Sequence, residues 1–395
     1  MKNDVPFVKY LAIVVLLFIA ASAFAGDAPA HRLAQLDKID QLLNGAISHG
    51  LIAGGVVLVG NREGVLFERA FGRVSSAADA RPMTIDTLFD IASLTKVIAT
   101  TPAVLKLAEE RKLSLVDPVA RWFPEFKGQG KDDLLVMNLL THTSGLDDFS
   151  LSSQNPLQSA VEGAAFQKLK GEVGSRFKYA DINFILLAES VKRVTGVGLD
   201  LYSATCFFAP LGMKNTSFNP GKESVAHCAA TLNSDNSLLV GQVQDYVARQ
   251  LGGVAGHAGL FSTADDLARF CRMILNGGEF EGKRILSERA VNQMTAPYFS
   301  RGGKVVRGLG WDIDSPYSSP RGNGFSPVSF GHTGYSGSSV WIDPASDTFV
   351  VLLTSRTDYR KTSEFSRLRR DLSTFAAELF AIPVEIRELT RLNYE

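Results

Sequence analysis

The chain has 395 residues, of which 45% are apolar and 21% charged, with 35 glycines. That is an ordinary globular composition, with enough apolar material for a sizeable core in one large unit or two to three domains. Lys plus Arg and Asp plus Glu balance at 41 each, so neither a basic excess pointing to nucleic acid nor a charged interaction tail is present.

In chain order, Lys2 and Lys9 flank an apolar run from Leu11 to Ala20, and Ala23-Phe24-Ala25 follows. This predicts a secretory signal peptide, residues 1–25, cut after Ala25. The protein is then exported, periplasmic or secreted. The alternative is an uncleaved anchor, the one membrane contact the sequence offers, although the run falls short of the roughly 20 residues a span needs. Residues 31–48 place Leu33, Leu36, Ile39, Leu42 and Leu43 at helical spacing. Gly54 to Gly60 and Val65 to Phe71 read as two strands joined by a turn at Asn61-Arg62-Glu63-Gly64. Ser93 to Lys112 reads as a helix with one apolar face, in which Pro102 should force a kink. The middle, Val116 to Arg249, is helix and loop in character, with a clear helix from Asp181 to Val194 closed by Gly196. Another helix spans Asp265 to Leu275. Strand signals return at Leu309 to Ile313, Val328 to Phe330, Ser338 to Ile342 and Thr348 to Thr354. Ser315 to Ser326, rich in Ser, Pro and Gly, reads as a mobile loop, and Ser363 to Phe380 as a final helix. The order predicts an α+β fold interrupted by a helical insertion, with a site in the cleft between the parts.

Three short motifs carry candidate chemistry. Ser93-Leu94-Thr95-Lys96 sets a hydroxyl and an amine three residues apart, on one face of a helix. A serine hydroxyl becomes a nucleophile only when a neighbour takes its proton. A second match, Ser175-Arg176-Phe177-Lys178, shows how easily this spacing arises, and it lies in a short loop without a helix to align it. Tyr179-Ala180-Asp181 opens the next helix; its phenol is either a general base favoured by nearby cations or an ordinary half-buried tyrosine. His332-Thr333-Gly334 lies in a strand, and Gly334 allows close backbone approach; taken alone, His332 reads as an ordinary edge-strand histidine. His257, within Gly252-Gly-Val-Ala-Gly-His257-Ala-Gly, and His142 both read as structural, with His257 placed to reach the cleft. Cys206, Cys228 and Cys271 permit one disulfide in an oxidising compartment, though buried apolar roles suit them better. Neither a metal motif nor a phosphate loop nor a Gly-x-Ser-x-Gly elbow occurs, so no metal or cofactor is expected.

The order of these motifs resembles the serine β-lactamase and penicillin-binding-protein superfamily, especially class C β-lactamase-like hydrolases. Leu139-Leu-Thr-His-Thr-Ser-Gly-Leu146, Pro210-Leu-Gly-Met213, Ser262-Thr-Ala-Asp-Asp-Leu267 and Gly310-Trp311 extend the resemblance over about residues 35 to 380. It implies an antiparallel sheet flanked by N- and C-terminal helices with a helical domain inserted: one catalytic domain, 26–395, whose α/β part is about 31–92 and 260–395 and whose helical part is about 93–259. It implies Ser93 as the acylated nucleophile, Lys96 as its proton partner and Tyr179 as base and then acid. Asp181, His332, Thr333, Gly334 and Tyr335 would line the substrate side, with the amides of Ser93 and Tyr335 as oxyanion donors. Two positions depart from the family pattern. Asp181 stands where many relatives carry Asn, which should hold Lys96 charged and shift the base role toward Tyr179. His332 stands where penicillin-recognising members carry Lys, so a substrate carboxylate loses a permanent cation. The implied substrate is a small molecule or peptidoglycan peptide (a D-alanyl peptide, a β-lactam or a related amide or ester). A carboxylesterase and a non-catalytic cell-wall-peptide or penicillin sensor are the alternatives.

Overall fold

A computed structural model describes residues 36–299 and 305–381. The expected signal peptide, its cleavage site and Leu33 lie outside the described residues. Among the described residues no single helix is long and apolar enough to cross a membrane.

The core is one eight-stranded sheet in which every neighbouring pair is antiparallel. From one edge its strands are Tyr298–Phe299, Val306–Arg307, Asp312–Asp314, Phe330–Thr333, Ser339–Asp343, Thr348–Arg356, Ile52–Gly60 and Val65–Gly72. The central pair joins the two ends of the chain, with Val56 opposite Leu353 and Leu58 opposite Val351. Because strand side chains alternate between faces, Val57 and Val59 pack with Ile39, Leu43, Phe365 and Leu372, whereas Val56 and Leu58 pack with the Ser93 helix and the helical part. One face is thus covered by the helix over residues 36–48 and by Thr362–Phe380. At about 1.5–3 kcal/mol for each fully buried aliphatic side chain, these two faces supply most of the drive that holds the sheet between its layers.

Three expectations are corrected. The Ser93 segment is not one kinked α-helix: a 3₁₀ turn at Ala92–Leu94 leads into a π turn at Lys96–Thr100 and then an α-helix, Thr101–Glu109. Pro102 sits in the first turn of that last helix, where the proline's missing N–H breaks no α-helical bond. The loop expected to be mobile is pinned: Ser319 and Ser366 share a hydrogen bond at 2.7 Å, and the Asn323 amide donates to Thr374 Oγ1 at 3.0 Å. The helical middle also contains short strands, Ser217–Phe218, Ala230–Leu232 and Leu238–Val240.

Candidate active site

The strand Phe89–Asp90 pairs with Leu260–Ser262 and delivers the chain to Ser93. Between them Ala92 adopts φ +48°, a left-handed conformation that a residue with a Cβ holds only when its surroundings fix it. This sharp entry presents Ser93 half-exposed while Leu94, Val97 and Ile98 turn into the core.

Lys96 is fully buried directly beneath Ser93. Its Nζ donates to Ser93 Oγ at 3.2 Å and to the His257 carbonyl at 3.0 Å, and lies 2.7 Å from Asp181 Oδ1. The ammonium also faces the Tyr179 ring, 4.9 Å from its centroid. Burial alone would lower the pKa of Lys96, but the opposing Asp181 carboxylate and Tyr179 raise it to about 12. Asp181 thus stands against the ammonium and favours the charged form of Lys96.

Tyr179 stacks on His142, with centroids 4.5 Å apart. Burial pushes its phenol up, against the pull of Lys96 and of hydrogen bonding to Lys96 and Ser93. Asp181 begins the helix Ile182–Thr195, and Asp148 anchors that start by accepting the amides of Asp181 at 3.0 Å and Ile182 at 2.9 Å. His142 is fully buried. Its Nδ1 accepts the Ala180 amide at 3.3 Å.

The far wall is the end of the strand Phe330–Thr333 and the turn after it. His332 is 2% exposed; its Nδ1 donates to the Thr333 carbonyl at 2.8 Å. Burial, followed by the Arg307 guanidinium, holds its pKa well below the usual imidazole range, so the ring is neutral rather than partly charged near neutral pH. Gly334 lies just beyond the strand, and a Cβ there would stand 2.1 Å from Ser338 Oγ and 2.5 Å from the Ile91 carbonyl. Close approach to the nucleophile turn, not conformational freedom, is what requires glycine here. The turn is sewn to the nucleophile segment by Ser336 Oγ donating to the Asp90 carbonyl at 2.7 Å and Ser338 Oγ to the Ile91 carbonyl at 2.8 Å. From the C-terminal helix, Arg369 clamps the Gly334 and Ser338 carbonyls at 2.6 and 2.7 Å.

A cavity of about 760 Å³ opens above Ser93, lined also by Tyr179, Asp181, Asp245, Arg249, Tyr335 and Tyr359. Asp245, Arg249 and Tyr359 were not singled out from sequence. Asp245 caps the helix Tyr246–Gln250, accepting the Ala248 amide at 2.7 Å, and pairs with His257 Nε2 at 2.9 Å. Its burial would raise its pKa, but hydrogen bonding and charge from His257 take it down to about 2. The His257 ring is buried and does not line the cavity; what it gives the site is its backbone carbonyl. Asp181, Asp245 and His257 bring one ligand atom each within 4.8 Å of one another. Lys96 already pairs with Asp181, and His257 Nε2 is already bonded to Asp245. A second cavity of about 580 Å³, lined by Leu157, Ile185, Leu199, Leu251 and Val254, lies apart from Ser93. The competing motif is not aligned: Ser175 Oγ donates to the Glu172 carbonyl and Lys178 pairs with Asp147. All three cysteines are free thiols, so no disulfide forms among them.

The family model described as β-lactamase matches residues 38–373. This chain belongs to the β-lactamase family. A Salmonella agona protein named "Putative D-alanyl-D-alanine carboxypeptidase" is 30% identical over 401 residues, covering 88% of this chain and 90% of that protein. Among solved structures, the hydrolase EstCE1, described as having promiscuous acyltransferase activity, shares the fold with a TM-score of 0.71 at 22% identity, covering 87% of this chain and 99% of its own. A class C β-lactamase does so with a TM-score of 0.70 at 20% identity, covering 85% and 95%. As a member of the β-lactamase family the chain is a serine hydrolase with the expected α+β, β-lactamase/transpeptidase-like architecture.

Proposed function

We propose that this chain is an exported acyl hydrolase that works through a covalent intermediate on Ser93, with a D-alanyl peptide or a related amide or ester as substrate. The observation that carries the reading is the 3.2 Å contact between Ser93 Oγ and the buried Lys96 Nζ, with the Tyr179 hydroxyl beside both. Ser93 Oγ attacks the substrate carbonyl and its proton passes to the phenolate oxygen of Tyr179, present as the ionised fraction of that phenol. Lys96 remains an ammonium and stabilises the negative charge there. The amides of Ser93 and Tyr335 hold the developing oxyanion. Tyr179 returns the proton to the leaving group, and a water deprotonated by Tyr179 then releases the acyl group and restores Ser93. Thr333 and Gly334 guide the substrate along the strand, and His332 supports them from behind. Residues 1–25 direct export, and residues 26–395 act as one catalytic domain in which about 93–259 form the helical part.

A carboxylesterase is the second reading, favoured by one observation: His332 is buried and neutral, so position 332 supplies no fixed cation for a substrate carboxylate. An intact-mass time course with a penicillin, run beside a p-nitrophenyl ester and a D-alanyl-D-alanine peptide, separates the possibilities. Turnover of the peptide or ester by wild type and none by Ser93→Ala is the expected result. A lasting adduct on Ser93 without turnover identifies a penicillin-binding sensor instead, and retained turnover in Ser93→Ala refutes the assignment of the nucleophile. Ester turnover without peptide turnover selects the esterase. A mature N-terminus at Gly26 tests the cleavage.

A further inference from the structure

Asp90 is 3% exposed and lies beneath the nucleophile turn. A strand seldom favours aspartate, and a buried carboxylate is costly unless it is fully hydrogen-bonded. Here both oxygens are used. Oδ1 accepts the Ala92 amide at 2.8 Å and Oδ2 the Gln244 amide at 2.7 Å, while the backbone carbonyl accepts Ser336 Oγ at 2.7 Å. These partners belong to three different walls of the site. Ala92, at φ +48°, immediately precedes Ser93. Gln244 immediately precedes Asp245, whose partner His257 offers Lys96 a carbonyl. Ser336 follows Tyr335.

We propose that Asp90 is a positioning residue: its carboxylate bridges Ala92 and Gln244, fixes Ser93 against Lys96 and the Tyr335 turn, and releases that alignment when it takes up a proton. The inference rests on Ser93 being the nucleophile. A carboxylate accepts an amide on each oxygen, whereas a carboxylic acid carries a proton on one of them, which weakens that oxygen as an acceptor and sets a donor beside the amide it faces. The strained turn at Ala92 then loses the acceptor that holds it, or the Gln244 wall retreats. The groups facing Asp90 are Asp245 and Arg249 from the Gln244 segment, Cys228, and Tyr359 beyond the last strand. Burial dominates over the amide bonds and over Arg249, and raises the Asp90 pKa to about 6. Alignment is therefore complete above that pH and lost as pH falls through it.

The test uses a fluorophosphonate probe, which reports a competent serine without knowledge of the natural substrate. Its labelling rate is followed from pH 4.5 to 9 in the full chain. Wild type should label on Ser93 and lose rate below about pH 6. Asp90→Asn keeps one acceptor and sets an amide donor against the other N–H. It should label about 10- to 100-fold more slowly at neutral pH, with no step near pH 6. Asp90→Glu retains a carboxylate of longer reach and should show a step displaced in pH, which keeps the question decidable if the Asn variant does not fold. A wild-type rate in Asp90→Asn, a slowed Asp90→Asn that keeps the step, or an unmoved step in Asp90→Glu overturns the proposal. Wild type that does not label, or Ser93→Ala that labels as fast, refutes the nucleophile assignment instead.

Discussion

Lys96 Nζ and Asp181 Oδ1 stand 2.7 Å apart at the base of the cavity, so the amine beside the nucleophile is locked as a cation. That ion pair decides which group takes the serine proton. An amine whose pKa is raised to about 12 surrenders no proton-free population near neutral pH, and the phenol of Tyr179 is the remaining acceptor in contact with Ser93.

Asp181→Asn should expose this arrangement. Without the carboxylate, burial becomes the dominant influence on Lys96 and its pKa falls from about 12. We expect wild-type kcat/KM only to rise on the alkaline side, and the variant to rise and then fall as Lys96 loses its charge. The pH profiles of kcat/KM check this. A variant faster than wild type at pH 7 would transfer the base role to Lys96.

Tyr179→Phe preserves the stack on His142 and removes only the hydroxyl. Turnover should drop by roughly 10²- to 10⁴-fold, the usual worth of a positioned acid–base group, with thermal stability little changed. Because burial raises the phenol pKa, wild-type kcat/KM should climb steadily from pH 7 to 10, a slope the Phe variant lacks.

His332→Lys installs a cation on the strand side. Arg307 already lies close enough to depress His332, so the added charge should cost stability, on the order of 1–3 kcal/mol for an imperfectly paired buried group. Among the molecules that survive, relative kcat/KM should shift toward substrates bearing a free carboxylate. Paired assays on an ester with and without a carboxylate report the shift, and an unchanged ratio would show that position 332 does not choose the substrate.

Acid should destabilise the fold through two imidazoles. Burial holds the pKa of both His142 and His332 well below the usual imidazole range. Below that range the unfolded chain binds protons that the folded protein refuses, so stability is lost as pH falls through the region. Asp90 acts in the opposite sense. Its folded pKa of about 6 exceeds that of an ordinary aspartate, so as pH falls the folded state gains this proton first and recovers some stability between the two values. His332→Gln should flatten the decline in melting temperature between pH 7 and 5, and an identical decline would remove His332 from the account.

How much of this was legible in the sequence follows the range of the contacts. Ser93 and Lys96 are three residues apart, Tyr179 and Asp181 two, and the strands around Val56 and Leu353 are short unbroken apolar runs buried on both faces, so local sequence revealed both the motif and the sheet. Asp90, Asp148 and Asp245 escaped because their partners lie far along the chain or on caps. The Gln244 amide is 154 residues from Asp90, and the His257 carbonyl is 161 residues from Lys96. The one local signal for Asp245 was its place as an aspartate before a short helix, three residues ahead of Ala248. Pro102 misled in a different way. Periodicity shows that a segment is helical but not that it changes from π to α geometry, and the proline marks that change. Composition likewise cannot show that Ser315 to Ser326 is fastened to the last helix.

The guanidinium of Arg369 reaches from that last helix to the Gly334 and Ser338 carbonyls beside the nucleophile. Because the sheet's central pair also unites the first strand with the last, competence is a property of the finished polypeptide alone. A chain still being synthesised, or one clipped ahead of residue 369, has its Ser93 motif intact in sequence yet no rigid wall to set against it.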